Sequence, residues 1–408
     1  MSHQKEAFGA GTPLYVDQTN NRVGVNKTPT VALDVSGALS VTGDITASSF
    51  NGGQLGGRRN IVINGLHKIS QRGTANVTGL GDGDEGYPLT DRWRHTIGAG
   101  AGRYTASQEA ITDLPGFTTC LKIACTTADT SIAASERFIL EQRIEGQDLQ
   151  QLKKGTSDAE KVTVSFYVKG HDSATYTVGL YDTDGRQVGA TFSVTTSWAR
   201  QTVTFPGDTS GALADNNSAQ LHLRFFLHGG SNYTSGTLAT AWENATNANQ
   251  ISSSANSIFE SDSATFFITG VQMEVGSVAT PFEHRSYGEE LVLCQRYYHF
   301  SGFPKIIPGQ DQDDGSLTDY EGQIFSWTLS DNRHATSYSF PTTMRSNPTV
   351  VMYGATDGTS ARSSPYNQAT QETVSAYYNE SVNGLHGYFQ GSSNTTGQRF
   401  FLGADCEL

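Results

Sequence analysis

At 408 residues the chain is too long for one ordinary core, so two or three domains are expected. A formal net charge of −13 and no concentrated Lys/Arg stripe exclude a duplex-binding surface, so no nucleic-acid partner is expected. No stretch approaches the ~20 apolar residues of a membrane span, which argues against membrane insertion, and Met1 to Gly11 lacks the pattern of a secretory signal.

Only 16 % of residues are charged, while Ser, Thr, Asn and Gly are abundant and Tyr and Phe dominate the aromatics. Side-chain hydrogen bonds suit turns, and Tyr, Thr and Val suit strands, so an all-β chain with many loops is expected. The hydrophobic 36 % is grouped into strand-like runs, which argues against wholesale disorder. Cys120 and Cys125 fall on opposite faces of one strand. With Cys294 and Cys406 they form no zinc-spaced cluster and read as buried reduced thiols.

In chain order, Leu14 to Val16 and Val23 to Val25 flank Asn20-Asn21 as a hairpin. Residues 32–49 then divide into three hexads, with Leu33, Leu39 and Ile45 at the second position and Val35, Val41 and Ala47 at the fourth. Such short units cannot bury their apolar face within one chain. Three chains around one axis would supply the missing surface, so the pattern itself predicts a homotrimer. The glycine-rich stretch Asn51 to Gly57 marks a hinge.

From 60 to about 285, period-2 alternation recurs. Val162, Val164, Phe166 and Val168 oppose Thr163, Ser165, Tyr167 and Lys169. Tyr176, Val178 and Leu180 lead into a hairpin at Asp184-Gly185. Leu221, Leu223, Phe225 and Leu227 alternate with His222, Arg224, Phe226 and His228, and Val271, Met273 and Val275 with Gln272 and Glu274. This predicts an antiparallel sandwich of jelly-roll type, with a short helix near Leu149 and Leu152. Ser286 and Glu289 fit a capping box, and Tyr287, Leu291, Cys294 and Tyr298 form one stripe on a helix of about four turns. That helix either packs on its own domain or forms a three-helix neck. Beyond Gly302 a smaller β-domain is expected, with Phe325, Trp327 and Leu329 on one strand face, a strand after Pro348, and polar loops over 354–398.

Several passages resemble phage tail-fibre proteins, especially those of podovirus-like phages. The hexads, with Leu14-Tyr15-Val16-Asp17 and Asn21-Arg22-Val23-Gly24, are similar to fibre shaft modules near the virion attachment end. Arg58 to Gly65, Gln71-Arg72-Gly73-Thr74, Thr90-Asp91-Arg92-Trp93, Gln142 to Leu149, Val162 to Lys169 and Gln272 to Glu283 resemble a carbohydrate-module-like jelly roll of such fibres. Phe340 to Val350 resembles an element of their distal domains. The resemblance implies an elongated homotrimer with a short β-repeat shaft, a jelly-roll β-sandwich, a short helix and a C-terminal β-sandwich. Its segments are 1–57 for virion attachment and shaft, 58–285 for the jelly roll, 286–300 for the helical connector and 301–408 for the distal receptor-binding domain. It further implies a virion protein of the phage tail, assembled in the host cytoplasm. Its partners would be a tail adaptor or nozzle protein and a host surface glycan.

A pyranose offers C–H faces to flat aromatics and hydroxyl edges to polar side chains. Two regions meet that requirement: Tyr233 and Trp242 in the 229–257 loop, and Tyr366, Tyr377, Tyr378, His386, Tyr388 and Phe389 in the distal segment. Trp242 reads equally well as an anchor for its own loop. Trp93, Trp198 and Trp327 read as core, and His222 and His228 as part of a polar sheet face. A serine-hydrolase elbow is absent, and no catalytic residue is assigned. The turns Asp82-Gly83-Asp84-Glu85 and Asp311 to Gly315 fit calcium loops poorly, so no cofactor is expected, although a structural calcium in the jelly roll stays open. A tailspike-type depolymerase, with two carboxylates flanking a sugar, and a non-binding structural virion protein are the alternatives.

Overall fold

The computed structural model describes residues 5–7, 13–17, 19–25, 33–35, 58–98, 100–303, 322–330, 333–354, 362–365, 372–373, 375–390 and 398–408. The chain divides into two compact units, Met1–Phe50 and Asn51–Leu408. In the first, β1 (Lys5–Ala7), β2 (Pro13–Asp17), β3 (Arg22–Val25) and β4 (Leu33–Val35) form one sheet in that order. β2 and β3 are the expected hairpin, with Leu14 opposite Val25. Asn21 at its tip takes φ 53°, a left-handed conformation that asparagine tolerates. β4, the start of the hexads, adds to β3 in parallel. Residues 36–49 of the hexads and the 51–57 stretch lie outside the described residues.

The second unit opens with a β-sandwich. Its strands are β5 (Val77–Leu80), β6 (Arg94–Gly98), β7 (Arg103–Ala110), β8 (Thr119–Thr127), β9 (Arg137–Glu145) and β10 (Val162–Gly170). They continue as β11 (Ala174–Asp182), β12 (Arg186–Val194), β13 (Ala199–Phe205), β14 (Ala219–Gly229), β15 (Glu243–Asn244) and β16 (Thr265–Val275), with the single turn α1 (Ser231–Thr234) after β14. One sheet has the order β13-β10-β16-β8-β7-β5 and the other β15-β12-β11-β14-β9-β6. The chain crosses between them repeatedly, as in a jelly roll. The aliphatic and aromatic members of the alternating runs meet between the sheets: Val164, Phe166, Val168, Val178, Leu223 and Phe225 are all fully buried. Phe166 lies edge-on to Phe192 and Phe225, with ring centroids 5.0 and 4.9 Å away. Two 3-10 turns, Gly146–Asp148 and Gln150–Leu152, stand where a short helix was expected and bury Leu149 and Leu152.

The polar members of two of these strands are buried as well, against the expectation of one-sided strands. Thr163, Ser165, Gln272 and Glu274 are inaccessible because residues 276–283 fold back over them. Glu274 accepts from the Thr280 amide at 2.9 Å and its hydroxyl at 2.7 Å, and Gln272 Oε1 from the Glu283 amide at 2.8 Å. A buried polar group needs such partners.

Ser286 and Glu289 make the reciprocal capping box that opens α2 (Tyr287–Gln295). The helix has nine residues rather than four turns, and Tyr298 belongs to the strand that follows. Its buried face matches the expected stripe only in part: Cys294 is buried as expected, but Tyr287 is exposed and Glu290 and Gln295 are buried. Glu290 docks the helix on its own domain by accepting from the buried Asn64 amide and from Arg285.

The distal strands are β17 (Tyr298–Phe300), β18 (Ile324–Ser330), β19 (Arg333–Ser339), β20 (Thr349–Gly354), β21 (Arg362–Pro365), β22 (Glu372–Thr373), β23 (Ser375–Ser381), β24 (Gly384–Gln390) and β25 (Gln398–Asp405). β17, β18, β20 and β21 pair with β25, and a second layer runs β18-β19-β24-β23. β18 serves both layers, its first half against β25 and its second against β19. Ile324, Met344, Met352, Leu385, Phe400 and Leu402 fill the core beneath them.

The sandwich and the distal strands are clamped by two arginines. Arg92 stacks on the Tyr297 ring at 3.4 Å and pairs with Glu407, both side chains being buried. Removing one partner of such a pair costs about 3–5 kcal/mol, because the other charge stays buried alone. Arg72 stacks on Tyr298 at 3.6 Å and pairs with Asp405 at 2.9 Å and Glu407 at 3.4 Å. Gln71 joins them by donating to Asp91 and to the Tyr298 carbonyl, each at 2.6 Å.

Candidate functional site

A groove of about 540 Å³ opens on the distal domain. Its floor is made by β25 and β20. Directly opposed residues of antiparallel strands share a face, so Phe300, Gly403 and Val351 form one row and Tyr298, Asp405 and Thr349 the next. Gly403 makes the room. A Cβ built there would meet Tyr353 Cε2 at 3.0 Å and the Tyr298 and Tyr353 hydroxyls at 3.6 and 3.7 Å. A glycine inside a strand often marks a place where something approaches the backbone closely.

Two tyrosines flank that floor. Arg72 occupies one face of the Tyr298 ring, and Tyr353 lies edge-on to Phe300 with centroids 5.7 Å apart. Burial pushes both phenols up, more than Arg72 pulls them down, so both stay protonated donors at physiological pH. The rim is polar: Asp405, Thr349, Asn347, Ser346 and Arg345. Arg345 is fixed by donating to the Cys406 and Asn217 carbonyls at 2.8 and 3.1 Å, which holds the loop before β20. Asp405 keeps a carboxylate that is 46 % exposed despite its pair with Arg72. Glu407 is different: it is 4 % exposed and held between Arg72 and Arg92. The groove thus offers two tyrosine rings, their hydroxyl donors and one half-exposed carboxylate acceptor. Its volume suits a small ligand, which typically needs roughly 300–1,000 Å³.

Sequence reasoning missed this set. Tyr298 was read as the end of a helix, and Tyr353 as one residue of a strand. The available signal was Gly403, alone in the apolar run Phe400-Phe401-Leu402-Gly403-Ala404.

The residues that were expected are spread over several places. Tyr366 lies outside the described residues. Tyr377 and Tyr378 are on β23, and His386, Tyr388 and Phe389 on β24, so much of the segment expected as polar loops is a hairpin. Its turn is Val382-Asn383 followed by Gly384 at φ 158°, a conformation that glycine allows. Tyr377 is opposite Tyr388 and Asn379 opposite His386. His386 is exposed and Tyr388 half-buried, with the Arg333 guanidinium 5.6 Å from its ring. Trp327, expected in the core, is instead 57 % exposed. In the sandwich, Tyr233 packs beside Ile139, Phe226 and Ile251. Trp242 packs on the main core and donates its indole N–H to the Pro206 carbonyl at 2.7 Å, which makes it an anchor of its own loop. The 311–315 turn is outside the described residues. In the 82–85 turn, Asp84 accepts from the Gly81 amide and Glu85 pairs with Arg94.

The outer face of the β11-β14-β9-β6 layer carries a second cluster. Glu141 accepts from Arg143 at 2.8 Å, Arg224 at 3.0 Å and Thr96 at 3.1 Å, with His222 3.4 Å away. Burial alone would raise this carboxyl. The hydrogen bond from His222 and the Arg224 and Arg143 charges outweigh it and hold Glu141 well below the usual range. His228 likewise turns to Glu136 at 3.0 Å and Ser257 at 2.8 Å. Both histidines are buried, so this polar face is largely satisfied within itself.

No family model and no curated protein matches this chain. Solved structures similar to it include a carbohydrate-binding module described as CBM4, at 13 % identity and TM-score 0.28, over 52 % of this chain and 97 % of that one. The family 11 carbohydrate-binding module from Clostridium thermocellum, in complex with a β-1,3-1,4-mixed-linked tetrasaccharide, gives 13 % identity and TM-score 0.26, over 51 % of this chain and 99 % of that one. The enzymatically active domain of bacteriophage CBA120 tailspike protein 4 gives 10 % identity and TM-score 0.27, over 53 % of this chain but only 21 % of that one. Likeness this remote says nothing about what this chain binds.

Proposed function

We propose that this chain is the adsorption subunit of a phage tail fibre, a non-catalytic homotrimer whose distal domain binds a bacterial surface polysaccharide. The observation that carries the reading is the Gly403 groove, which joins the Tyr298 and Tyr353 rings to the half-exposed Asp405 carboxylate. Aromatic rings beside hydrogen-bonding side chains are what a pyranose needs. Hydrolysis needs two carboxylates free to act across a sugar, whereas Glu407 is committed to two arginines. The trimer rests on the hexads: Leu33 in the first of them is 56 % exposed, an apolar side chain left for a neighbouring chain to cover. The N-terminal segment would then join a tail adaptor or nozzle protein of the virion.

The test is the binding of full-length protein to host cells and to their purified surface polysaccharide, beside Gly403→Val. The valine fits a strand but fills the groove floor, and should weaken binding at least ~10-fold, the equivalent of about 1.4 kcal/mol. Far-UV circular dichroism should be unchanged and no reducing ends should appear. Failure of the wild type to bind would refute the reading; wild-type affinity in the variant would move the site elsewhere.

A further inference from the structure

Trp327 is 57 % exposed and Phe325, two residues earlier on the same strand, 43 %. Register explains their company. Trp327 is opposite Ala335 on β19, Ala335 is opposite Tyr388 on β24, and Tyr388 is opposite Tyr377 on β23. Trp327 and Tyr388 therefore lie two strands apart in one cross-strand row, which is about 10 Å at the usual strand spacing. Only a methyl group stands between them. Phe325 stands at the β18 end of the adjoining row, which continues with three exposed polar residues, Ser337 opposite His386 and His386 opposite Asn379. Beyond the row on the other side lie Arg333 and Gln390.

We infer that this outer face of the β18-β19-β24-β23 layer is a second glycan-binding station, a flat platform for the interior of an extended polysaccharide. The inference rests on the glycan reading above but uses a different layer from the groove. Rings separated by a small residue can each lie against a different sugar of one chain, while the flanking Ser337, His386, Asn379 and Gln390 reach hydroxyl edges. A protein partner would favour a contiguous apolar patch with a depleted charge content at its centre. Here Ser337, His386 and Asn379 on one side and Arg333 and Gln390 on the other break up the apolar surface of Phe325, Trp327 and Tyr388, which favours a sugar chain over a second copy of the protein. A flat face bears on many units of a long chain and on few of a short one.

The test compares intact host surface polysaccharide with the same material hydrolysed to short oligosaccharides, using wild type, Trp327→Ala and Gly403→Val. Wild type should prefer intact chains by at least ~10-fold per repeat unit. Trp327→Ala should lose that preference yet keep its affinity for short pieces, and Gly403→Val should do the reverse. An unchanged preference in Trp327→Ala overturns the platform and leaves the groove standing. A fall in sedimentation mass for Trp327→Ala, with no change in binding per assembled particle, also overturns it and makes the face an interface between copies. Absence of wild-type binding to either material removes the glycan reading itself.

Discussion

Single residues in this molecule show how burial sets charge. His67 and His95 are fully buried, and burial lowers each to about 3, with His95 also opposing a charge on His67. Burial lowers His299 to about 4. All three titrate near 6.5 when unfolded, so their contribution is complete above that value and is lost as pH falls toward the folded values. Asp91 works in the opposite sense. Burial pushes it up to about 6 against the pull of Arg72, so acid relieves a cost present at neutral pH. Taken together, these four groups should cost about 3 kcal/mol of stability between pH 7 and pH 5.5. Thermal melts across that interval should show the fall, and His95→Phe should flatten it; a midpoint independent of pH would contradict the burial argument.

Among elements, α2 departs most from its pattern. A helix of nine residues is marginal by propensity alone and needs docking. Here the docking group is a carboxylate rather than an apolar stripe, because Glu290 satisfies the buried Asn64 amide. Glu290→Ala leaves that N–H without a partner and should destabilise by about 1–3 kcal/mol. Hydrogen exchange at Asn64 should accelerate, whereas retained protection there would show that another acceptor serves it. The β23–β24 hairpin makes the complementary point. Asn383-Gly384 was a visible turn signal, yet the Ser- and Asn-rich surroundings led to a loop assignment. Composition reports exposure, and an exposed sheet face is as polar as a loop.

At the scale of the whole molecule, the sandwich and the distal strands are not separable pieces. A chain ending near Phe300 would strip β17 of its partner β25 and leave Arg92 without Glu407. Point substitutions therefore locate the binding domain more cleanly than truncation. The assembled state is tested by sedimentation of the full chain, which should report three chains per particle; a monomer would leave the hexads without their expected partner.

The alternating runs from Val162, Tyr176 and Leu221, the Asp184-Gly185 turn and the Ser286 cap were legible because each depends on neighbours in sequence. Periodicity alone determined a β-rich chain with strand faces that must be buried. It also separated Cys120 from Cys125, which enter different apolar clusters. Tertiary structure decided everything that depends on what covers a face. Residues 276–283 buried polar side chains that alternation had placed outside, and β18 carried Trp327 out of the core to which its strand pattern had assigned it. The groove depends on a side chain that is missing at Gly403 and on tyrosines 55 positions apart, at 298 and 353. Sequence fixes which faces are apolar through the period of the backbone, but a concavity exists only where strands distant in the chain come together.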